Sequence, residues 1–172
     1  MATLAQNLDL QISHFVNFCE YLPDYKKLDK KTLNTLLNTG LLEVSTCFEH
    51  ALANVIGTTV ISENEKDLAT GEDAKLSSVR HGSHGATYSA PVTNTSGKTG
   101  DLLVQVYERI QDNYYYFRIP NEFYKEIPAS SNLEIPFKLD GTPRRTPYRP
   151  VKYSNWWVFE CDSFEDMCNI LT

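Results

Sequence analysis

The sequence contains no hydrophobic run long enough to cross a membrane, and its start lacks the basic residues and apolar block typical of a secretory signal. We therefore expect a cytosolic protein that does not contact a membrane. Internal repeats and low-complexity tails are also absent. With 41% hydrophobic residues, the 172 residues can bury one substantial core, so a single domain over residues 1–172 is expected.

Cysteine is scarce as well. The sequence has 4 cysteines, and no two of them have the C-x-x-C spacing. Free, partly buried thiols are therefore expected, rather than a disulfide framework. A zinc site that combines these cysteines with His81 and His84 is disfavoured, because neither the cysteines nor this histidine pair has the ligand spacing typical of such sites.

Basic residues are outnumbered by acidic ones, which at first argues against a nucleic-acid partner. The formal net charge of −6 is unevenly distributed, however: residues 1–74 carry 5 Lys/Arg against 11 Asp/Glu, residues 75–152 carry 11 against 7, and residues 153–172 carry none against 4. Phosphate binding depends on local contacts rather than on the total charge. The basic middle section is therefore still compatible with a DNA partner.

Apolar residues recur at helical spacing in the N-terminal third of the chain. This periodicity predicts a long amphipathic helix from Leu4 that ends before Pro23. It also predicts a short helix over Thr32–Asn38 and a second long helix over Leu41–Ile56. We expect residues 1–57 to form the helical part of the domain.

The remainder, residues 58–172, is expected to form a sheet with long loops. The β-branched segment Thr58–Ser62 and the aromatic segment Asn155–Phe159 are typical of strands. Asp101–Ile110 and Asn113–Ile119 form the clearest predicted hairpin. The expected fold is an α/β or α+β domain in which two N-terminal helices pack on a central mixed β-sheet.

Two loop regions carry basic side chains. Glycine and small polar residues dominate from Arg80 to Gly100, including Ala86–Ala90, and prolines interrupt Pro128–Lys152, so both regions are expected to form loops. Ser-Gly-Lys-Thr in the first region suggests a phosphate-binding P-loop. Val92 stands where that motif requires its first glycine, which excludes it. Both regions are open to two interpretations, as DNA-contacting loops or as plain surface loops.

One short stretch has the residue types of a catalytic site. In it, Asp67 is followed, after a turn, by Asp73 and Lys75. Alternate side chains of a strand share a face, so Asp73 and Lys75 are expected to point the same way. Two carboxylates and an ammonium in one small volume suit Mg²⁺ and metal-assisted hydrolysis. A polar hairpin facing water is the alternative. If the predicted hairpin extends this sheet, Gln105 or Tyr107 would border the site.

This arrangement of an Asp, a hairpin and then Asp/Glu-x-Lys resembles the core of the PD-(D/E)xK nuclease superfamily. Its short hairpin is most similar to that of MutH-type repair endonucleases and their type II restriction-enzyme relatives, over roughly residues 41–80. The resemblance implies a restriction-endonuclease-like core and a DNA endonuclease that uses Mg²⁺, with Mn²⁺ as a possible substitute, and commonly acts as a homodimer on double-stranded DNA. No proline precedes Asp67, and Asp73 replaces the commoner glutamate.

The resemblance also implies a role for each residue of the motif. Asp67 and Asp73 would bind the metal, Lys75 would help to position the attacking water, and Glu49 would be a further ligand from the preceding helix. Glu72 is the alternative second acid, but it would lie on the opposite strand face from Lys75. The expected DNA contacts are Arg80, His81, Lys98, Arg144, Arg145 and Arg149.

Two other functions remain open at this point. A non-catalytic interaction module, such as an inhibitor or immunity protein, would neither bind Mg²⁺ nor cleave DNA. A DNA-binding protein without cleavage activity would show salt-sensitive binding that persists without metal.

Overall fold

Helices, a mixed sheet and a second, smaller sheet form three layers. The computed structural model describes residues 4–25, 27–61, 66–81, 88–125, 133–146 and 156–169. The helices are α1 (Leu4–Phe18), α2 (Lys30–Asn38), α3 (Val44–Ile56), α4 (Asn121–Tyr124) and α5 (Phe164–Cys168). The strands are β1 (Asp73–Ser78), β2 (Arg80–His81), β3 (Tyr88–Val92), β4 (Leu102–Glu108), β5 (Asn113–Ile119), β6 (Leu133–Pro136) and β7 (Glu160–Cys161).

The N-terminal helices agree closely with the sequence periodicity. After α1, a short 3-10 turn over Cys19–Tyr21 completes the segment that was expected to end before Pro23. Helix α2 begins two residues earlier than predicted, because Asp29 caps it by accepting the Thr32 N–H at 2.7 Å. Helix α3 ends at Gly57, whose φ of 86° provides the left-handed conformation of a C-cap.

The larger sheet is mixed, as expected. Its strand order is β1-β4-β5-β7, and β1 runs parallel to β4 whereas the other pairs are antiparallel. The smaller sheet has the order β2-β3-β6 and is antiparallel. The prediction of an α+β domain with N-terminal helices on a mixed sheet is therefore confirmed.

Two apolar cores separate the layers. The first lies between the helices and the larger sheet, where Phe18, Phe48 and Leu52 pack with Leu103 of β4. The second lies between the two sheets and includes Ile135 of β6. Because successive β4 residues face opposite cores, the central strand is buried along its whole length, and it holds β1 in place from one side.

Two predicted strands are wrong. Of the segment Thr58–Ser62, the described residues contribute only an isolated bridge between Val60 and Leu68. The segment that carries Leu68 turns immediately after this residue, so the pairing cannot continue. In the aromatic segment Asn155–Phe159, the described part, Trp156–Phe159, is a 3-10 helix. Strand pairing with β5 begins only at Glu160. The β-propensity of both segments is overridden by their tertiary setting.

Two predicted loops contain strands. The region Ala86–Ala90 overlaps β3, and Pro128–Lys152 contains β6. Proline is tolerated in both strands because of its position: Pro136 ends β6, and β2 is too short to pair with β3 at Pro91. In the described part of the chain, no helix is long and apolar enough to span a bilayer. All four cysteines are free thiols, as expected.

Candidate active site

A tight backbone turn brings Asp67 next to the start of β1. The N–H groups of Asp67 and Leu68 both donate to the carbonyl oxygen of Glu72, each at 3.1 Å. Gly71 completes the turn with a φ of 107°, which favours glycine. In place of the predicted hairpin, a short, closed turn joins the two acids and leads directly into Asp73.

The Asp67 carboxylate is fixed against the free edge of β1. Asp73 N–H donates to the carbonyl of Asp101 at 2.9 Å, next to the neighbouring strand β4. The next N–H, that of Ala74, points the other way, and the Asp67 carboxylate accepts it at 2.8 Å. Among the described residues no strand pairs with this edge of β1, so Asp67 takes that place, and this bond orients its carboxylate beside that of Asp73.

Asp73 is buried between two lysines. Its side chain is 1% exposed; Lys75 Nζ lies 3.2 Å from Oδ2, and Lys98 Nζ lies 3.2 Å from Oδ1. The expectation that Asp73 and Lys75 share a strand face is confirmed. Lys75 Nζ also donates to the carbonyl of Asn94 at 3.0 Å.

Glu49 reaches the same site from α3. Burial raises its pKa to about 7, with further contributions from the charge and hydrogen bonding of Asp67 and from the charge of Asp73. Burial also raises the pKa of Asp73; Lys75 opposes that shift, whereas the charge and hydrogen bonding of Asp67 add to it. The three carboxyl groups therefore repel one another: Asp67 raises the pKa of both Glu49 and Asp73, and the charge of Asp73 acts directly on Glu49 as well.

Glu72 faces away from this cluster. Its carboxylate accepts the Thr70 hydroxyl and lies 3.4 Å from Arg118 Nη2. Arg118 also binds Asp101 at 2.8 Å and donates to the carbonyl of Met167 at 2.9 Å. This ion-pair network ties the turn to the end of α5, so the position of Glu72 suits a structural role.

The donor chemistry of the cluster fits a hard divalent cation. Glu49, Asp67 and Asp73 supply carboxylate oxygens. Asp73 Oδ1 is buried and forms an ion pair with the Lys98 amine at 3.2 Å. In their present positions, no three acid, His or Cys side chains among the described residues are spaced to bind one ion.

The predicted DNA contacts are dispersed. Arg80 is exposed and begins β2, in the smaller sheet, whereas Asp73 begins β1 of the larger one. Arg145 pairs with Glu160 at 2.8 Å, and Arg144 is half-buried beside it. Arg149 and the side chain of His81 lie outside the described residues, as does His84, which was considered for the zinc site. The DNA-binding roles therefore stay predictions.

The expectation that Gln105 or Tyr107 borders the site is wrong. The register pairs Leu76 with Gln105, so both Gln105 and Tyr107 lie on the helix-facing side of the sheet, opposite to Asp73. Gln105 instead donates to His14 Nδ1 at 3.1 Å. Burial lowers the pKa of His14 to about 4, which keeps this internal contact uncharged at neutral pH.

Sequence analysis missed the position of Lys98, which was assigned to a DNA-facing loop. The loop reaches Asp73 because β1 and β4 are parallel neighbours, a long-range pairing with no local signal. No protein family, curated protein or solved structure matches this chain. The functional argument therefore depends on the geometry of this cluster.

Gly100 packs closely against the backbone of the turn at Gly71, so a substitution at Gly100 tests this packing. A Cβ atom at Gly100 would lie 2.0 Å from the Gly71 carbonyl oxygen. We expect Gly100→Ala to lower the free energy of unfolding by about 3 kcal/mol, because backbone must move. Gly97→Ala, in the same loop with a φ of 81° and open space around it, is the control and should cost about 1 kcal/mol. Urea unfolding measures both, and equal losses would contradict the packing argument.

Proposed function

We propose that this protein is a metal-dependent endonuclease that hydrolyses phosphodiester bonds of double-stranded DNA. The observation that carries the proposal is the mutual repulsion of three neighbouring carboxyl groups, from α3, a turn and β1, together with the Lys75 amine 3.2 Å from Asp73. A mutually repelling carboxylate cluster is unfavourable in a resting protein, and it is useful where a cation binds. This supports the resemblance to PD-(D/E)xK nucleases.

The residues take distinct roles in this proposal. Asp67, Asp73 and Glu49 would hold Mg²⁺ or Mn²⁺, and Lys75 would hold a water or phosphate oxygen beside them. A bound ion would supply Lewis-acid chemistry and lower the pKa of coordinated water. The Ala74 N–H bond keeps Asp67 oriented, and the Asn94 carbonyl keeps Lys75 in place. Such preorganised groups stabilise charge that develops on the phosphate.

Further parts of the proposal concern partners and setting. Cleavage of both DNA strands suits a homodimer, in which two copies present one site to each strand. Arg80 and Arg144, which are both among the described residues, would contact the DNA phosphates. Arg145 would join them if its ion pair with Glu160 opened. The expected setting is the cytosol.

The test is DNA cleavage by the purified protein and by Lys75→Ala. We expect the wild-type protein to cleave mixed plasmid and phage DNA in Mg²⁺, to a defined banding pattern, and the variant to be at least about a hundredfold slower. EDTA should abolish cleavage. Lys125→Ala, an exposed lysine after α4, is the control and should cleave normally.

Two outcomes would overturn the proposal. DNA binding that is salt-sensitive and persists in EDTA, without cleavage in Mg²⁺ or Mn²⁺, would indicate a DNA-binding protein. Neither binding nor cleavage would favour the non-catalytic interaction module.

A further inference from the structure

Strand β1 has a free edge, because it is the outermost strand of the larger sheet. Asp73 N–H donates to the carbonyl of Asp101, on the β4 side, at 2.9 Å. Backbone groups alternate along a parallel pair, so the N–H groups of Leu76 and Ser78 point away from β4. Among the described residues no strand pairs with them, which leaves two backbone donors for a partner.

A cleft of about 520 Å³ lies beside this edge. Residues 76–78 of β1 form one of its walls. The other walls include the apolar side chains of Leu10, Leu37 and Leu42. This volume is within the range of ligand pockets, and it admits a few residues of an extended chain but not a whole second sheet. Alternate side chains of an added strand would point to the helix side, where the apolar walls are.

The Ser78 hydroxyl provides a further donor in the cleft. Gln105 Nε2 donates to the carbonyl of His14 at 3.3 Å and to His14 Nδ1 at 3.1 Å. A carbonyl oxygen can only accept, so the amide orientation is fixed and Nδ1 is the acceptor. The proton of the neutral His14 ring is therefore on Nε2, which donates to Ser78 Oγ at 3.3 Å. The hydroxyl proton of Ser78 is left to donate to a carbonyl of a bound chain.

One carboxylate sets the charge of the cleft. Among the described residues that line it, Glu43 alone is charged at neutral pH, because burial lowers the pKa of His14 to about 4. Glu43 is exposed, and its carboxylate accepts the hydroxyl of Thr46 at 3.1 Å. A basic side chain on the bound chain would complement this charge.

We propose that this cleft binds an extended segment of another protein, which pairs with the free edge of β1 at Leu76 and Ser78. The segment adds one strand to the larger sheet, a recurrent mode of peptide recognition. Apolar side chains at alternate positions face the apolar walls, and a Lys or Arg faces Glu43. The pairing is short, because Asp67 already accepts the Ala74 N–H at the other end of this edge. It requires neither metal nor DNA.

The probes are fluorescently labelled synthetic hexapeptides that alternate Val with Thr and carry one Lys, placed in turn at each Thr position. Fluorescence anisotropy measures their binding. We expect a peptide of the same composition with its three Val residues consecutive to bind at least about tenfold more weakly. Methylation of alternate backbone nitrogens should weaken binding about tenfold for one of the two sets of nitrogens and not for the other, because only one set pairs with β1.

Amide hydrogen exchange, measured by NMR, identifies the edge that binds. In the free protein, the amides of Lys75 and Ser77, which bond to β4, should exchange slowly, whereas those of Leu76 and Ser78 should exchange fast. A saturating amount of the best peptide should slow exchange at Leu76 and Ser78 at least about tenfold. The amides that bond to β4 are the control within the same strand.

Substitutions at exposed positions test the cleft without disturbing the core. Ser45→Trp fills the cleft and should weaken peptide binding at least about tenfold. Thr35→Trp, on α2 outside the cleft lining, is the matched control and should not change binding. Glu43→Gln should weaken binding of the Lys peptide about threefold, and should not weaken binding of the same peptide with Gln in place of Lys.

Three outcomes overturn the inference. One is that no peptide binds, and another is that a peptide binds and leaves the amides of Leu76 and Ser78 unprotected. The third is protection of both amides without peptide, in a protein that has the mass of a dimer, which would assign this edge to a second copy of the chain. These readouts do not involve cleavage, so the nuclease proposal stands or fails separately.

Discussion

Asp73→Asn is expected to reduce Mg²⁺-dependent DNA cleavage about a thousandfold, which corresponds to the loss of about 4 kcal/mol of transition-state stabilisation. The substitution keeps the size of the side chain but removes the charge between Lys75 and Lys98. The two ammonium groups then lose the carboxylate between them, which opposes the binding of a divalent cation. Cleavage of plasmid DNA under single-turnover conditions measures the loss.

The matched control is Glu72→Gln, the same chemical change at the adjacent acid. Glu72 contacts Thr70 and Arg118 rather than the cluster, so this variant should lose stability and keep cleavage within about threefold once folded. Asp73→Asn combined with Lys98→Met removes one of the two ammonium groups and should refold better than the single variant, yet remain inactive. Near-normal cleavage by Asp73→Asn, or loss of cleavage in Glu72→Gln alone, would show that the wrong acid has been assigned.

The parts of the fold that were predictable depend on local patterns. Helices α1 and α3 have regular apolar periodicity, and the β4–β5 hairpin has strong β-propensity on both sides of a turn. The pairing of Asp73 with Lys75 followed from strand alternation alone. Each of these inferences needs only residues that are close in sequence.

The features that were missed depend on long-range contacts. Parallel pairing of β1 with β4 joins residues about thirty positions apart and has no turn that signals it. That pairing brings the 93–100 loop over Asp73, so it determines the position of Lys98. Strand β6 was not predicted because its last residue is Pro136, and proline normally argues against a strand. Proline is excluded from central strand positions but is tolerated at the end of an edge strand such as β6. Tertiary context, and not propensity, decides such segments.

Glu49→Gln is expected to remove much of the pH dependence of stability in the metal-free protein. Burial and the charge of Asp67 raise the pKa of Glu49 from 4.5 to about 7 in the folded state. Its folded-state pKa exceeds its unfolded one, so its contribution is fully present below pH 4.5 and is lost as the pH rises to about 7. The shift corresponds to at most about 3 kcal/mol, and solvent screening of this half-buried group reduces that to about 1–2 kcal/mol.

Urea unfolding in EDTA at pH 5 and pH 8 measures this effect. We expect the wild-type protein to lose stability over this range, and Glu49→Gln to lose about 1–2 kcal/mol less, because the amide carries no proton to release. Glu122→Gln, which removes an exposed carboxylate on α4, should follow the wild-type protein at both pH values. Saturating Mg²⁺ should stabilise the wild-type protein most at pH 8, where Glu49 is ionised, and stabilise Glu49→Gln much less. If the stability of wild type and of Glu49→Gln changed equally with pH, Glu49 would not interact electrostatically with Asp67 and Asp73. Its assignment to the metal site would then be wrong.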